Sequence, residues 1–157
     1  MRQQGIIILM GMLFWMATAQ AQKVDANVML QEVNKARGLK CKCGNERFKA
    51  APPLVWDQKL ERAAQKHADD MARKKFFSHT GSDKSTVSSR VDKENFDWML
   101  VGENIADGYK SEVAVVAGWM GSPGHCKNIM NPEFTHMGVA VSKDGKYWVQ
   151  VFATPME

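Results

Sequence analysis

Seven side chains of the types that ligate metals or act as nucleophiles and bases are spread through this sequence: His67, His79, His125 and His136, with Cys41, Cys43 and Cys126. His125 follows Ser122-Pro123-Gly124, where a serine N-cap and a first-turn proline together begin a helix. A ring in that first turn sits at the positive end of the helix dipole, which disfavours imidazolium and leaves a neutral imidazole able to bind a cation. His79 stands in Phe76–Asp83, whose Ser, Gly and Asp content reads as a loop, so its ring is expected to be accessible. Glu103, between Gly102 and Asn104, is expected to present its carboxylate at a tight turn. His67 instead falls on the apolar face of a predicted helix and is expected to be a packed core residue, while His136 only precedes a strand. Neither is assigned to a site. No Gly-x-Ser-x-Gly elbow and no His-Glu-x-x-His pair occurs, so the sequence carries no ready-made hydrolase nucleophile or zinc-protease helix.

Residues 1–21 read as a signal peptide. Arg2 supplies the positive start, Gly5 to Ala17 is continuously apolar, and Ala19-Gln20-Ala21 is a small-residue cleavage signature. That run is too short to span a bilayer. Residues 22–157 are therefore expected as a single exported domain, secreted or periplasmic, without a transmembrane segment. An oxidising compartment favours pairing the cysteines. A bridge between Cys41 and Cys43, across one residue, is geometrically awkward, so Cys126 is expected to pair with Cys43 or with Cys41, leaving one thiol over. The three cysteines with His125 would nominally form a Cys3His zinc set, which export disfavours. The formal charge of +4 is mild, and the densest basic run, Arg73-Lys74-Lys75, reads as a solvated helix end. No basic stripe is interleaved with aromatics, so nucleic acid is not an expected partner.

Val28, Met29, Val33 and Ala36 describe one face of a helix over 27–40 that Gly38 ends, and Lys40–Pro53 reads as a loop pinned by cysteine. A longer helix is predicted from the cap Asp57 to Lys74, carried by Leu60, Ala63, Ala64, His67, Ala68 and Met71. A short helix within 86–96, a strand from Trp98 ending at the Gly102 turn, a helix over 112–120 and a separate one from Ser122-Pro123 to Asn131-Pro132 follow. Met137–Lys143 and Tyr147–Ala153 flank Asp144-Gly145, a hairpin signal. Helices first and strands last point to an α+β domain. Trp56, Trp119 and Trp148 are expected in core and cleft packing, with Trp98 the candidate for an exposed apolar contact.

Four segments arrive together: Phe77-Ser78-His79, Gly102-Glu103-Asn104-Ile105-Ala106, Trp119-Met120-Gly121-Ser122-Pro123-Gly124-His125, and Asn128-Ile129-Met130-Asn131-Pro132. With Asn34 and Arg37 before them, and with Gly138-Val139 and Tyr147-Trp148-Val149-Gln150 after, they cover nearly the whole exported chain. In these the sequence resembles the CAP superfamily of cysteine-rich secretory proteins, antigen 5 and pathogenesis-related proteins. The resemblance implies a three-layer α-β-α sandwich with an antiparallel central sheet. It also implies a cleft in which two histidines and two acidic residues hold a divalent cation. His79, Glu103 and His125 match three of those positions, so Zn2+ or another divalent cation is expected on them. Ser122 stands where many members carry glutamate, a feature of bacterial members that implies a bacterial source. As a helix cap its hydroxyl is expected to be bonded to backbone amides, and it is a poor ligand.

The resemblance and the missing nucleophile together imply a monomeric, non-catalytic binding module for a lipid, a sterol or a protein partner. The alternative is a metal-dependent hydrolase or peptidase, with water held by His79 and His125 and with Glu103 as ligand or general base. That chemistry needs a further carboxylate in the cleft to separate the two tasks. A structural factor of the cell envelope is a third reading, resting on export alone.

Overall fold

Short polar residues start the helices and apolar spacing carries them. The computed structural model describes residues 23–156; the expected leader lies outside the described residues. Asp25 accepts from the amides of Asn27 and Val28 and starts helix α1 (Ala26–Arg37), which Gly38 ends. Strands β1 (Cys41–Cys43) and β2 (Glu46–Phe48) then form a small antiparallel hairpin around Gly44-Asn45, in the stretch expected to be loop. Each strand has only three residues, too few for a period-2 pattern to emerge from the sequence. The hairpin is tied down by a Cys43–Cys126 disulfide, with Cα atoms 5.4 Å apart, which resolves the open pairing and leaves Cys41 as the free thiol.

After the two-residue strand β3 (Val55–Trp56), Asp57 accepts from the amides of Lys59 and Leu60 and starts helix α2 (Gln58–Lys74). Leu60, Ala63, Ala64, His67, Ala68 and Met71 are all buried, so the spacing in the sequence is the packed face of the helix. Thr86 caps the short helix α3 (Val87–Asp92). Strand β4 (Trp98–Asp107), helix α4 (Glu112–Gly121), helix α5 (Pro123–Met130) and strands β5 (His136–Val141) and β6 (Tyr147–Pro155) complete the chain.

The sheet runs β3-β5-β6-β4. Its three long strands are antiparallel, and short β3 joins β5 in parallel. Alternation along the strands splits the core in two. Val139, Val141, Trp148 and Phe152 face α1, α4 and α5, with Met29, Val33, Trp119 and Ile129. Ala140, Val149, Val151 and Ala153 face α2 and α3, with Leu60, Ala64, Met71 and Val91. The result is the three-layer α-β-α sandwich expected from the sequence. α2 lies so close to β5 that a Cβ on Gly138 would stand 2.1 Å from the Glu61 backbone nitrogen. A backbone cannot yield as a side-chain tip does. Gly138→Ala is expected to lower stability by about 3 kcal/mol, read as a fall in the urea midpoint with an unchanged slope.

β4 is longer than expected, because Gly102 does not turn the chain. It stays in register opposite Phe152, and the place of its missing Cβ is taken by the Phe134 ring, 2.7 Å from where that atom would be. Trp98 is also not the exposed contact expected. It is half-buried and donates its indole N–H to Asp92 at 2.7 Å, while the exposed apolar side chains beside it in the chain and the ladder are Met99 and Met156.

Candidate functional site: a cleft over the edge of the sheet

β4 lies at the edge of the sheet, and its alternation sends Glu103 and Ile105 to the α2 side and Asn104 and Ala106 to the α5 side. A cleft of about 680 Å3 runs along this edge. The loop carrying Phe77, Ser78 and His79 forms one wall, and Tyr109, Trp119, Ser122 and His125 form the other. The structure thus brings His79, Ser122 and His125 to one cleft, with Glu103 behind His79.

Glu103 belongs to a regular strand rather than a tight turn, and both its oxygens are engaged. Oε1 bonds His79 Nδ1 at 2.9 Å, and Oε2 accepts from Arg90 Nη2 at 2.7 Å. The Glu103 and Arg90 side chains are 2% and 6% exposed, so this is a buried ion pair. Arg90 also donates to the carbonyls of His79, at 3.1 Å, and Ser85, at 3.0 Å, so one guanidinium fastens the His79 loop to the strand. With His79 Nδ1 on a carboxylate, its proton is placed there and the lone pair of Nε2 is left to face the cleft.

On the other wall Asn104, fully buried, donates to His125 O at 3.1 Å and to Gln150 Oε1 at 3.1 Å. Asn128 donates to Glu103 O at 3.1 Å and to Asn104 Oδ1 at 2.9 Å. This network seats the first turn of α5 on β4. The His125 ring has no hydrogen bond among the described residues, and burial, then the neighbouring His79, hold its pKa below the ordinary histidine value. It is a neutral imidazole at pH 7. Ser122 caps α5 by position only. Its side chain makes no capping bond, contrary to expectation.

His67 is buried, as expected, and donates Nε2–H to Ser78 O at 2.8 Å, bracing the His79 loop from below. Burial, its largest influence, lowers its pKa. A base whose folded value lies below the unfolded one stabilises the fold fully above about pH 6.5 and loses that contribution as pH falls through the folded value. The thermal midpoint is therefore expected to fall between pH 7 and 5, and more shallowly in a folded His67→Gln variant. Among the described residues, the His136 ring bonds its neighbour Thr135 and meets the Phe96 ring edge-on, away from the cleft lining. Among the described residues, the ligand atoms that lie within 4.8 Å of one another in threes are those of Cys41, Cys43 and Cys126, without His125 and with two of the three in the disulfide.

Three residues of the site escaped the reading of the sequence: Arg90, which lies behind the cleft, and Tyr109 and Asp107, which line it. Arg90 looks like any basic residue of a short helix. Tyr109 and Asp107 follow the recognisable segment and carry no pattern of their own. Asp107 is the one acid lining the cleft.

No helix among the described residues is long and apolar enough to cross a membrane. The chain is 38% identical over 99 residues to the membrane protein YlbC, and 38% identical over 100 residues to the protein YkwD, both of Bacillus subtilis (strain 168). These alignments take in 63% and 64% of the chain but only 28% and 39% of the relatives' lengths. A crystal structure of an extracellular protein containing an SCP domain, from Bacillus anthracis, is 37% identical with a TM-score of 0.62, covering 66% of this chain and 34% of that one. The sequence profile of the cysteine-rich secretory protein family, CAP, matches residues 30–152, and with the sandwich and cleft already described it shows that the chain belongs to the CAP family.

Proposed function

We propose that the chain is an exported, non-catalytic binding module whose cleft holds a divalent cation between His79 and His125 and accepts a lipid, sterol or protein ligand against its apolar wall. The observation that carries this reading is the double engagement of Glu103. A carboxylate that is 2% exposed, lies outside the cleft lining and is bonded to Arg90 on one oxygen and His79 on the other is poorly placed to activate water. Its role is instead that of a positioning residue, which fixes the tautomer of a ligating imidazole. What supports such a cation is that two imidazoles line one cleft, His79 with its Nδ1 held by Glu103 and His125 without any ring hydrogen bond among the described residues; water or a ligand group would complete the shell. Bound there, a cation would supply Lewis acidity and a fixed positive charge for a polar ligand group. Phe77, Ile105, Tyr109 and Trp119 supply the apolar contact.

The hydrolase reading has one observation in its favour. Asp107 lines the cleft and supplies the further carboxylate that the chemistry requires. The two readings separate in a turnover assay on casein and on simple esters. A binding module gives no rate above that of a His79→Ala, His125→Ala variant, and its binding of sterol-containing phosphatidylcholine vesicles survives Glu103→Gln. Turnover that is abolished by a chelator and by Asp107→Asn would establish the hydrolase instead.

A further inference from the structure

β4 has β6 on one side and no strand on the other. In an antiparallel ladder, successive residues turn their N–H and C=O alternately towards and away from a given neighbour. The phase of β4 is fixed by three bonds. Gly108 N–H reaches Lys146 O, on the β6 side, at 2.9 Å. Glu103 O points away from β6 and accepts from Asn128 at 3.1 Å. On β6, Tyr147 O is given to Ser142, which leaves Trp148, Gln150 and Phe152 to pair with Ala106, Asn104 and Gly102. From Gly102 to Asp107, the residues whose main chains turn outward are therefore Glu103, Ile105 and Asp107. Asn128 covers the first. Ile105 and Asp107 receive no main-chain or side-chain hydrogen bond from outside the sheet among the described residues, and both line the cleft.

We propose that the cleft binds an extended peptide as an added strand, paired through its main chain to Ile105 and Asp107. This rests on the binding-module reading above and names the class of ligand. An extended peptide repeats a donor and an acceptor every second residue, the spacing that Ile105 and Asp107 present, whereas a sterol or an acyl chain has no such repeat. Its alternate side chains would fall to the two sides of the sheet, one set beside Phe77 and His79 and the other beside Tyr109 and Trp119. Edge strands are usually blocked; here Asn128 blocks only Glu103. Charge selects further. Asp107 is the one acid on the lining and no lysine or arginine accompanies it, so a basic peptide side chain is favoured.

The test uses the exported protein and a library of capped peptides of about seven residues, roughly 23 Å when extended, with lysine fixed at the centre. The strongest binder is then followed by amide hydrogen exchange. Exchange at Ile105 and Asp107 is expected to slow at least about tenfold, while Asn104 and Ala106, already paired with β6, stay unchanged. N-methylation of the peptide residues that face β4 weakens binding about tenfold, and methylation of the residues between them does not. A peptide that moves the His79 and His125 resonances without protecting Ile105 and Asp107 overturns strand addition and leaves the binding module standing. If no library member binds but Zn2+ or vesicles do, strand addition again fails alone. If none of the three binds, both readings fail.

Discussion

Arg90→Met is expected to cost about 3–5 kcal/mol of stability, the range found when one partner of a buried ion pair is removed. The loss comes less from the missing attraction than from what remains: Glu103, 2% exposed, keeps a charge with only His79 to answer it, and the carbonyls of His79 and Ser85 lose a donor. At about 4 °C per kcal/mol for a domain of this size, the thermal midpoint should drop by roughly 12–20 °C. The double variant Arg90→Met, Glu103→Gln should recover part of the loss at pH 7, because it removes the unpaired charge. A small gap between wild type and the single variant would show that the pair does not organise the site.

Arg37→Met is expected to be comparably severe, at about 4 kcal/mol, although Arg37 has no carboxylate partner. It is fully buried and spends its guanidinium on four carbonyls: Pro52 at 2.7 Å, Ile129 at 2.6 Å, Asn131 at 2.9 Å and Phe134 at 3.2 Å. Burial lowers its pKa to about 10, so it remains charged at pH 7. Methionine fills the space but leaves those carbonyls without a donor, each worth about 1–3 kcal/mol when dry, less where water enters. Arg37→Lys should fall between, since one ammonium cannot span three segments as a planar fork does. Urea denaturation of both variants checks the order. The consequence reaches the cleft. Arg37 fixes the C-terminal turn of α5, and His125 stands in the first turn of that eight-residue helix.

What could be read from the sequence was whatever repeats or punctuates. The α2 face, the cap at Asp57, the break at Ser122-Pro123 and the closing hairpin all stand where the spacing of apolar and turn residues put them. Family likeness carried the rest of the recognisable site, and His79, Ser122 and His125 do share one cleft. Failures came where a residue's meaning is set by a distant neighbour. Gly102 read as a turn because nothing in its own segment reveals that Phe134 needs its missing Cβ. Ser122 read as a bonded cap because the type is favoured there, while the side chain makes no such bond. Arg90 carries no local signal; only the sheet and α3 together place it on Glu103. The Cys43–Cys126 choice likewise depended on a hairpin too short to have a period.

The most direct test is calorimetric titration of residues 22–157 with Zn2+, in a Cys41→Ser background so that the spare thiol does not contribute. It is run beside the same protein carrying His79→Ala and His125→Ala and shown to be folded. One-to-one binding that vanishes in the histidine variant is the expected result. Absence of binding in the parent, or equal binding in both, would contradict the two-imidazole cleft.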